Sequence, residues 1–177
     1  MSIFSSNKKK IGDTEFVKDP VAFIRFLREE DEDVVEFGKT SLVVGGTVVI
    51  KPLIELLTNE LEDEKVRRRA GNVLTRIGTP AIAPLLEVLE TLKLNSQAAS
   101  ATIGMIAAAL GGMGKEAVAP LIRALDSELR QVRFGAAIAL AQTGEAKAIE
   151  AVRHAADHGA PGDRDMYTMV LGSAGPG

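Results

Sequence analysis

His154 and His158 stand four residues apart, with Asp157 just before the second. On a helix that spacing puts two imidazoles on one face, where they can share a metal ion. No third ligand is visible nearby. No Glu follows the first His, as it does in the helical zinc-protease motif. The pair also reads as two histidines near a helix C-terminus, where the dipole favours positive charge. The sequence calls for no metal and no cofactor.

Gly111-Gly112-Met113-Gly114-Lys115-Glu116 has the outline of a phosphate-binding loop. Ala109 occupies the place of that motif's first Gly, and Glu116 the place of the Ser or Thr that holds magnesium. The segment reads as a turn. Lys65, Arg67, Arg68, Arg69 and Arg76 form a basic cluster, but Glu60, Glu62, Asp63 and Glu64 precede it and cancel much of its field. There is no Cys, so no thiol nucleophile, thiolate metal site or disulfide exists here. Neither a G-x-S-x-G nucleophile elbow nor a paired-carboxylate arrangement stands out. No residue is assigned a catalytic role, and the expectation is a protein that is not an enzyme.

The elements that would position these residues can be read from composition. The chain has 177 residues, 46% hydrophobic and only 4% aromatic, without Trp. A core of Leu, Ile, Val and Ala suits closely packed helices better than a β-sandwich. The net charge of −3 argues against a dedicated nucleic-acid binder. Lys8, Lys9 and Lys10 come after a very short apolar piece, the wrong order for a secretory signal. The most apolar stretch, 40–50, is too short to span a bilayer. A cytoplasmic protein without membrane contact is expected.

Sliding the chain on itself reveals a repeat. Val66–Gly78 and Val132–Gly144 both fit V-R-x-x-small-x-x-x-L-x-x-x-G. Weaker copies run from Thr102 to Gly114 and from Val34 to Gly46, the latter with Gly38 at the small position. The first, fifth and ninth positions share a helical stripe, so Val66, Ala70 and Leu74 face inward together. Gly46, Gly78, Gly114 and Gly144 suit a left-handed residue just past a helix end. Pro52, Pro84 and Pro120 each fall six residues after a closing Gly, inside a second apolar pattern. They are expected near the start of these helices, where a missing N–H is best tolerated.

The unit is therefore helix A, turn, helix B, Gly turn. Helices are predicted at 20–29 and 33–45, 48–60 and 64–77, 80–93 and 97–112, 116–126 and 129–142, then 146–158. Residues 1–14 read as a flexible tail, 15–158 as the repeat domain, and 159–177 as a loose end with one short helix near Met166.

These marks resemble the short prokaryotic HEAT-like repeats of phycobilin-lyase type, over about residues 19–158. The shared features are Ala83-Pro84-Leu85-Leu86 and Ala119-Pro120-Leu121-Ile122, the acidic A–B turns with Asp63 and Asp126, and the Val-Arg start of helix B. The resemblance implies an α-α superhelix of about four hairpins plus a terminal helix. It also implies an Arg–Asp ladder, pairing Arg67 with Asp63 and Arg133 with Asp126. Val35 and Ile103 stand where Arg is expected in the other copies, so the ladder is interrupted. The HEAT-repeat iron hydroxylases carry several His-Glu pairs, and this chain has none. HEAT-like DNA glycosylases use a basic face with aromatics, a pattern absent here.

HEAT stacks place their B helices on the concave side, and the outward positions of helix B differ between copies. Arg68, Asn72 and Thr75 are polar in one. Phe134, Ile138 and Ala141 are apolar in another. Gly104, Ala108 and Gly111, beside Met105, are smooth in a third, and Phe37 lies near that face in the first. The expectation is an interaction scaffold that takes a partner helix or a second copy of itself on this face. The equally open reading is that these residues pack against neighbouring repeats. Two other functions stand behind the scaffold, an accessory subunit of a lyase or modifying enzyme and a nucleic-acid-associated protein.

Overall fold

Asp19 and Pro20 open the first element. Asp19 Oδ1 accepts the Val21 amide at 3.0 Å, and Pro20 supplies a preset φ at the first helical position. The element they open, Pro20–Arg28, is a 3-10 helix and not the α-helix that the spacing predicts. In the computed structural model, which describes residues 19–94, 96–160 and 162–173, nine α-helices come after it. They are α1 (Glu32–Gly45), α2 (Ile50–Thr58), α3 (Glu64–Ile77), α4 (Thr79–Thr91), α5 (Gln97–Gly111), α6 (Lys115–Ala124), α7 (Arg130–Gln142), α8 (Ala146–His158) and α9 (Arg164–Ser173). A short 3-10 segment, Gly46–Val49, leads into α2. The described residues contain no strand. The fold is all-α, built of HEAT-like helical hairpins.

The chain divides into two compact units, Met1–Ile77 and Gly78–Gly177. The first holds two hairpins, the opening 3-10 helix with α1 and α2 with α3. The second holds three, α4/α5, α6/α7 and α8/α9. The third hairpin of this unit exceeds expectation. Residues 164–173, read as part of a loose end with one short helix, form α9, which packs on α7 and α8. Met166, Tyr167 and Val170 are its buried face. The tail predicted at 1–14, and residues 174–177, lie outside the described residues.

The inward stripes account for the packing. Val66, Ala70 and Leu74 are buried, as are Val132, Ala136 and Leu140. In the first hairpin Phe23, Phe26 and Phe37 form a ring cluster with centroids 5.7 to 6.0 Å apart. Gly38 lies directly against it. A Cβ there would stand 2.5 Å from Phe26 Cβ, which is why the small position of this copy is a glycine.

The closing glycines have φ of +59 to +77° at Gly46, Gly78, Gly114 and Gly144. At Gly46, Gly78 and Gly114 ψ lies between −131 and −139°, outside the left-handed helical well. This mirror-β region is open to glycine alone, so the sequence requirement is stricter than a left-handed cap. Pro52 is near the start of α2, but Pro84 and Pro120 lie inside α4 and α6. Each leaves one carbonyl of the preceding turn without its helical donor.

The run Glu32–Thr58 is long and apolar enough by composition to cross a membrane, with a mean hydropathy of 1.6 over its most apolar 18 residues. It is not one rod. Gly46 turns the backbone between α1, of 14 residues, and α2, of 9. Neither reaches the roughly 20 residues a span requires.

Candidate functional site

The basic cluster is absorbed by the fold. Arg67 is buried, and its Nε donates to the Leu57 carbonyl at 2.8 Å, closing the end of α2. Arg69 is also buried. It donates to the carbonyls of Leu27 and Glu29 at 2.8 and 2.9 Å and to Glu32 Oε1 at 2.7 Å. Lys65 pairs with Glu32 at 3.3 Å, Arg68 with Glu64, and Arg76 with Glu36 at 2.6 Å. Hydrogen bonds from Arg69 and then Lys65 hold the Glu32 carboxyl below its ordinary range. The Arg28 guanidinium does the same to Glu62. Burial pushes the Glu36 carboxyl up, but Arg76 and Lys39 together outweigh it and the net shift is down. Arg28, Lys65, Arg69 and Arg76 tie one hairpin to the next, Arg67 acts within its own hairpin and Arg68 pairs within its own helix, so the cluster is largely committed to contacts inside the fold.

The ladder needs a correction. Arg133 does not take Asp126 as its acidic partner. Its Nε reaches Asp163 Oδ2 at 2.6 Å, while its Nη1 donates to the carbonyls of Ser127 and Glu128 at 2.8 and 2.9 Å. Arg130 Nε binds the other carboxylate oxygen of Asp163 at 3.0 Å. The arginine therefore grips its own A–B turn through carbonyls and the next hairpin's turn through a carboxylate. Arg67 repeats the first half of this role on Leu57. Asp63 is engaged elsewhere, its Oδ1 accepting the Lys65 amide at 2.7 Å as a helix cap. Asp163 and Arg130 were missed by sequence reasoning, and Arg69 was read only as part of the basic cluster. One signal existed, since Asp163 stands just before α9 as Asp31 stands before α1 and Asp63 before α3.

The glycine loop at 111–116 is a turn. The amides of Gly112 and Gly114 already donate to the carbonyls of Ala108 and Gly111, at 3.0 Å each. Glu116 accepts from Thr79 Oγ1 at 3.0 Å. Two donors that a phosphate cradle would use are occupied.

The B-helix faces differ between the units. In the first unit Arg68 and Asn72 are exposed, and Phe37 is half-buried because its ring belongs partly to the aromatic cluster. In the second unit α5 has no charged residue over its whole length, Gln97–Gly111. Gln97, Ala101 and Ala108 are exposed along one stripe, and a Cβ at Gly104 would meet nothing within 4 Å. Met105, Phe134, Ile138 and Ala141 are half-buried. The only charges of α7, Arg130 and Arg133, are both engaged by Asp163. Gly111 is not part of the open stripe, because it packs under Gln142.

The two histidines stand on an A helix of the second unit. His154 and His158 are exposed on α8, with their rings stacked at 4.5 Å. They line an open groove between α6 and α8, and a similar groove runs between α4 and α6. Such paired grooves arise from stacking A helices and do not by themselves mark an active site. Among the described residues no three potential ligands gather as a metal centre would require.

Two family models match the sequence. A HEAT repeats model covers residues 91–172, and a PBS lyase HEAT-like repeat model covers residues 66–91. No curated protein matches the chain. The first match reaches through α9, in keeping with the third hairpin of the second unit. With its Gly-closed hairpins and arginine-bound turns, the chain carries HEAT-like repeats over the matched residues 66–172.

Proposed function

We propose that the protein is a non-catalytic, cytoplasmic scaffold that binds a partner protein on its B-helix face. HEAT repeats generally mediate protein–protein interaction, and the family is typically non-catalytic. The observation that carries the reading is the B face of α5 and α7 in the second unit, where α5 has no charged residue and the two charges of α7, Arg130 and Arg133, are engaged by Asp163. There Met105, Phe134 and Ile138 are half-buried beside the exposed small residues of α5. Solvated helix faces ordinarily carry Lys, Glu or Arg. A surface without them, with apolar side chains already partly desolvated, loses little on being covered. In the first unit Arg68 and Asn72 would supply polar contacts instead.

The test compares wild-type protein with Phe134→Asp and Arg68→Glu in affinity capture from the native cell, with quantitative identification of bound proteins. Phe134→Asp is expected to lose the main partner while circular dichroism stays native, and Arg68→Glu to weaken it less. A correctly folded Phe134→Asp variant with an unchanged partner set and oligomeric state would sink the reading.

A further inference from the structure

We propose that His154 and His158 form a two-residue clamp for a divalent transition-metal ion, in the order Cu2+ before Zn2+. The pair lies outside the B-helix face, so this inference does not depend on the scaffold reading. Both histidines are exposed on one side of α8. Their rings stack at 4.5 Å with an interplanar angle of 22°, so the two imidazoles lie face to face one helical turn apart. The second observation concerns His158 Nδ1, which lies 3.2 Å from the His154 carbonyl. A carbonyl can only accept, so Nδ1 is the donor in this contact, and in the neutral ring Nε2 is then the nitrogen that carries a lone pair. Metal-binding histidines are held in this way, one ring nitrogen anchored to a carbonyl and the other free to coordinate. Both side chains are exposed and one helical turn apart, so rotation about their side-chain bonds can bring one nitrogen of each to a shared ion at the bonding distance of about 2.0–2.1 Å.

The chemistry of the surroundings sets the metal. No third protein ligand completes the site among the described residues. Two imidazoles with the remaining positions left to water suit an ion that binds nitrogen strongly and tolerates a tetragonal, part-aqueous shell, which is Cu2+. The open groove of about 540 Å³ beside the pair, floored by Ile122 and Leu125, leaves those positions accessible to solvent or to an incoming donor. Asp126, Lys147 and Glu150 also line the groove, so its charge is mixed, and Glu150 is held by Arg153 at 2.8 Å.

Titration of the intact protein with Cu2+, monitored by electron paramagnetic resonance and calorimetry, tests the clamp. One equivalent of Cu2+ should bind with nitrogen couplings from two imidazoles, and Zn2+ should bind at the same place more weakly. Affinity should fall at least about tenfold in His154→Ala and in His158→Ala separately, because each removes half of the chelate. The double variant gives the background from the N-terminal amine and surface carboxylates. Circular dichroism of each variant confirms that the exposed substitutions leave the fold intact. Wild-type binding no tighter than this background overturns the proposal, and so does either single variant that keeps wild-type affinity.

Discussion

Gly38 and Gly104 both lie within B helices, and both would be replaced by alanine on helix propensity alone. Their surroundings reverse the outcome. At Gly38 an added Cβ would meet Phe26 Cβ at 2.5 Å, an atom fixed to the backbone of the opening 3-10 helix. That helix would have to move, so Gly38→Ala should destabilise by about 1–3 kcal/mol. At Gly104 the added methyl enters open space. Gly104→Ala should stabilise by about 0.5–1 kcal/mol through helix propensity. Urea unfolding of both variants checks the pair of signs, and a destabilising Gly104→Ala would mean that the open stripe on α5 is already covered. The small position at Gly38 was legible from repeat spacing. The openness at Gly104 was not, because spacing gives a residue's place on a helix and not what stands opposite.

At the scale of elements, the helices were legible because their signals are local. An i, i+4 apolar stripe, a closing glycine and a capping Asp or Ser each act within a few residues. The 3-10 form of Pro20–Arg28 was not legible. Nor was the packing of α9, which depends on a long-range pair between Asp163 and the start of α7. Asp163 is buried, and its carboxylate faces Arg130 and Arg133. Breaking a buried pair leaves uncompensated charge, so Asp163→Ala should cost about 3–5 kcal/mol. Asp126 is exposed and does not pair with Arg133, so Asp126→Ala should stay within about 0.5 kcal/mol. Thermal unfolding of the two variants separates this arrangement from the pairing implied by family resemblance. Equal effects, or a larger loss at Asp126, would restore the latter. Loss of Asp163 should also raise amide exchange across α9, whose buried face is only Met166, Tyr167 and Val170.

At the scale of the whole molecule, carboxylate–cation contacts join hairpins within each unit, in the second through Asp163 and in the first through several pairs. In the first unit these are Arg28 with Glu62, Lys65 and Arg69 with Glu32, and Arg76 with Glu36. The carboxyls of Glu32, Glu36 and Glu62 lie below the ordinary value of 4.5 in the folded state. A carboxyl whose folded value is depressed binds fewer protons in the folded protein than in the unfolded chain at intermediate pH. Its contribution to stability is therefore complete above the unfolded value and disappears as pH falls through the lower, folded value. The first unit should accordingly lose stability below about pH 4.5 as these contacts are protonated. Glu62→Gln isolates one of them. At pH 7 it should be less stable than wild type, and as pH falls below the folded value of Glu62 the two proteins should converge, because wild type then carries a neutral side chain as well. Urea unfolding by circular dichroism at pH 7 and at low pH measures the difference directly. A difference that stays the same at both pH values would show that Glu62 acts through packing and not through its charge on Arg28. Added salt gives an independent check. Arg28 is about half exposed, so screening should narrow the gap at pH 7 without altering the low-pH convergence.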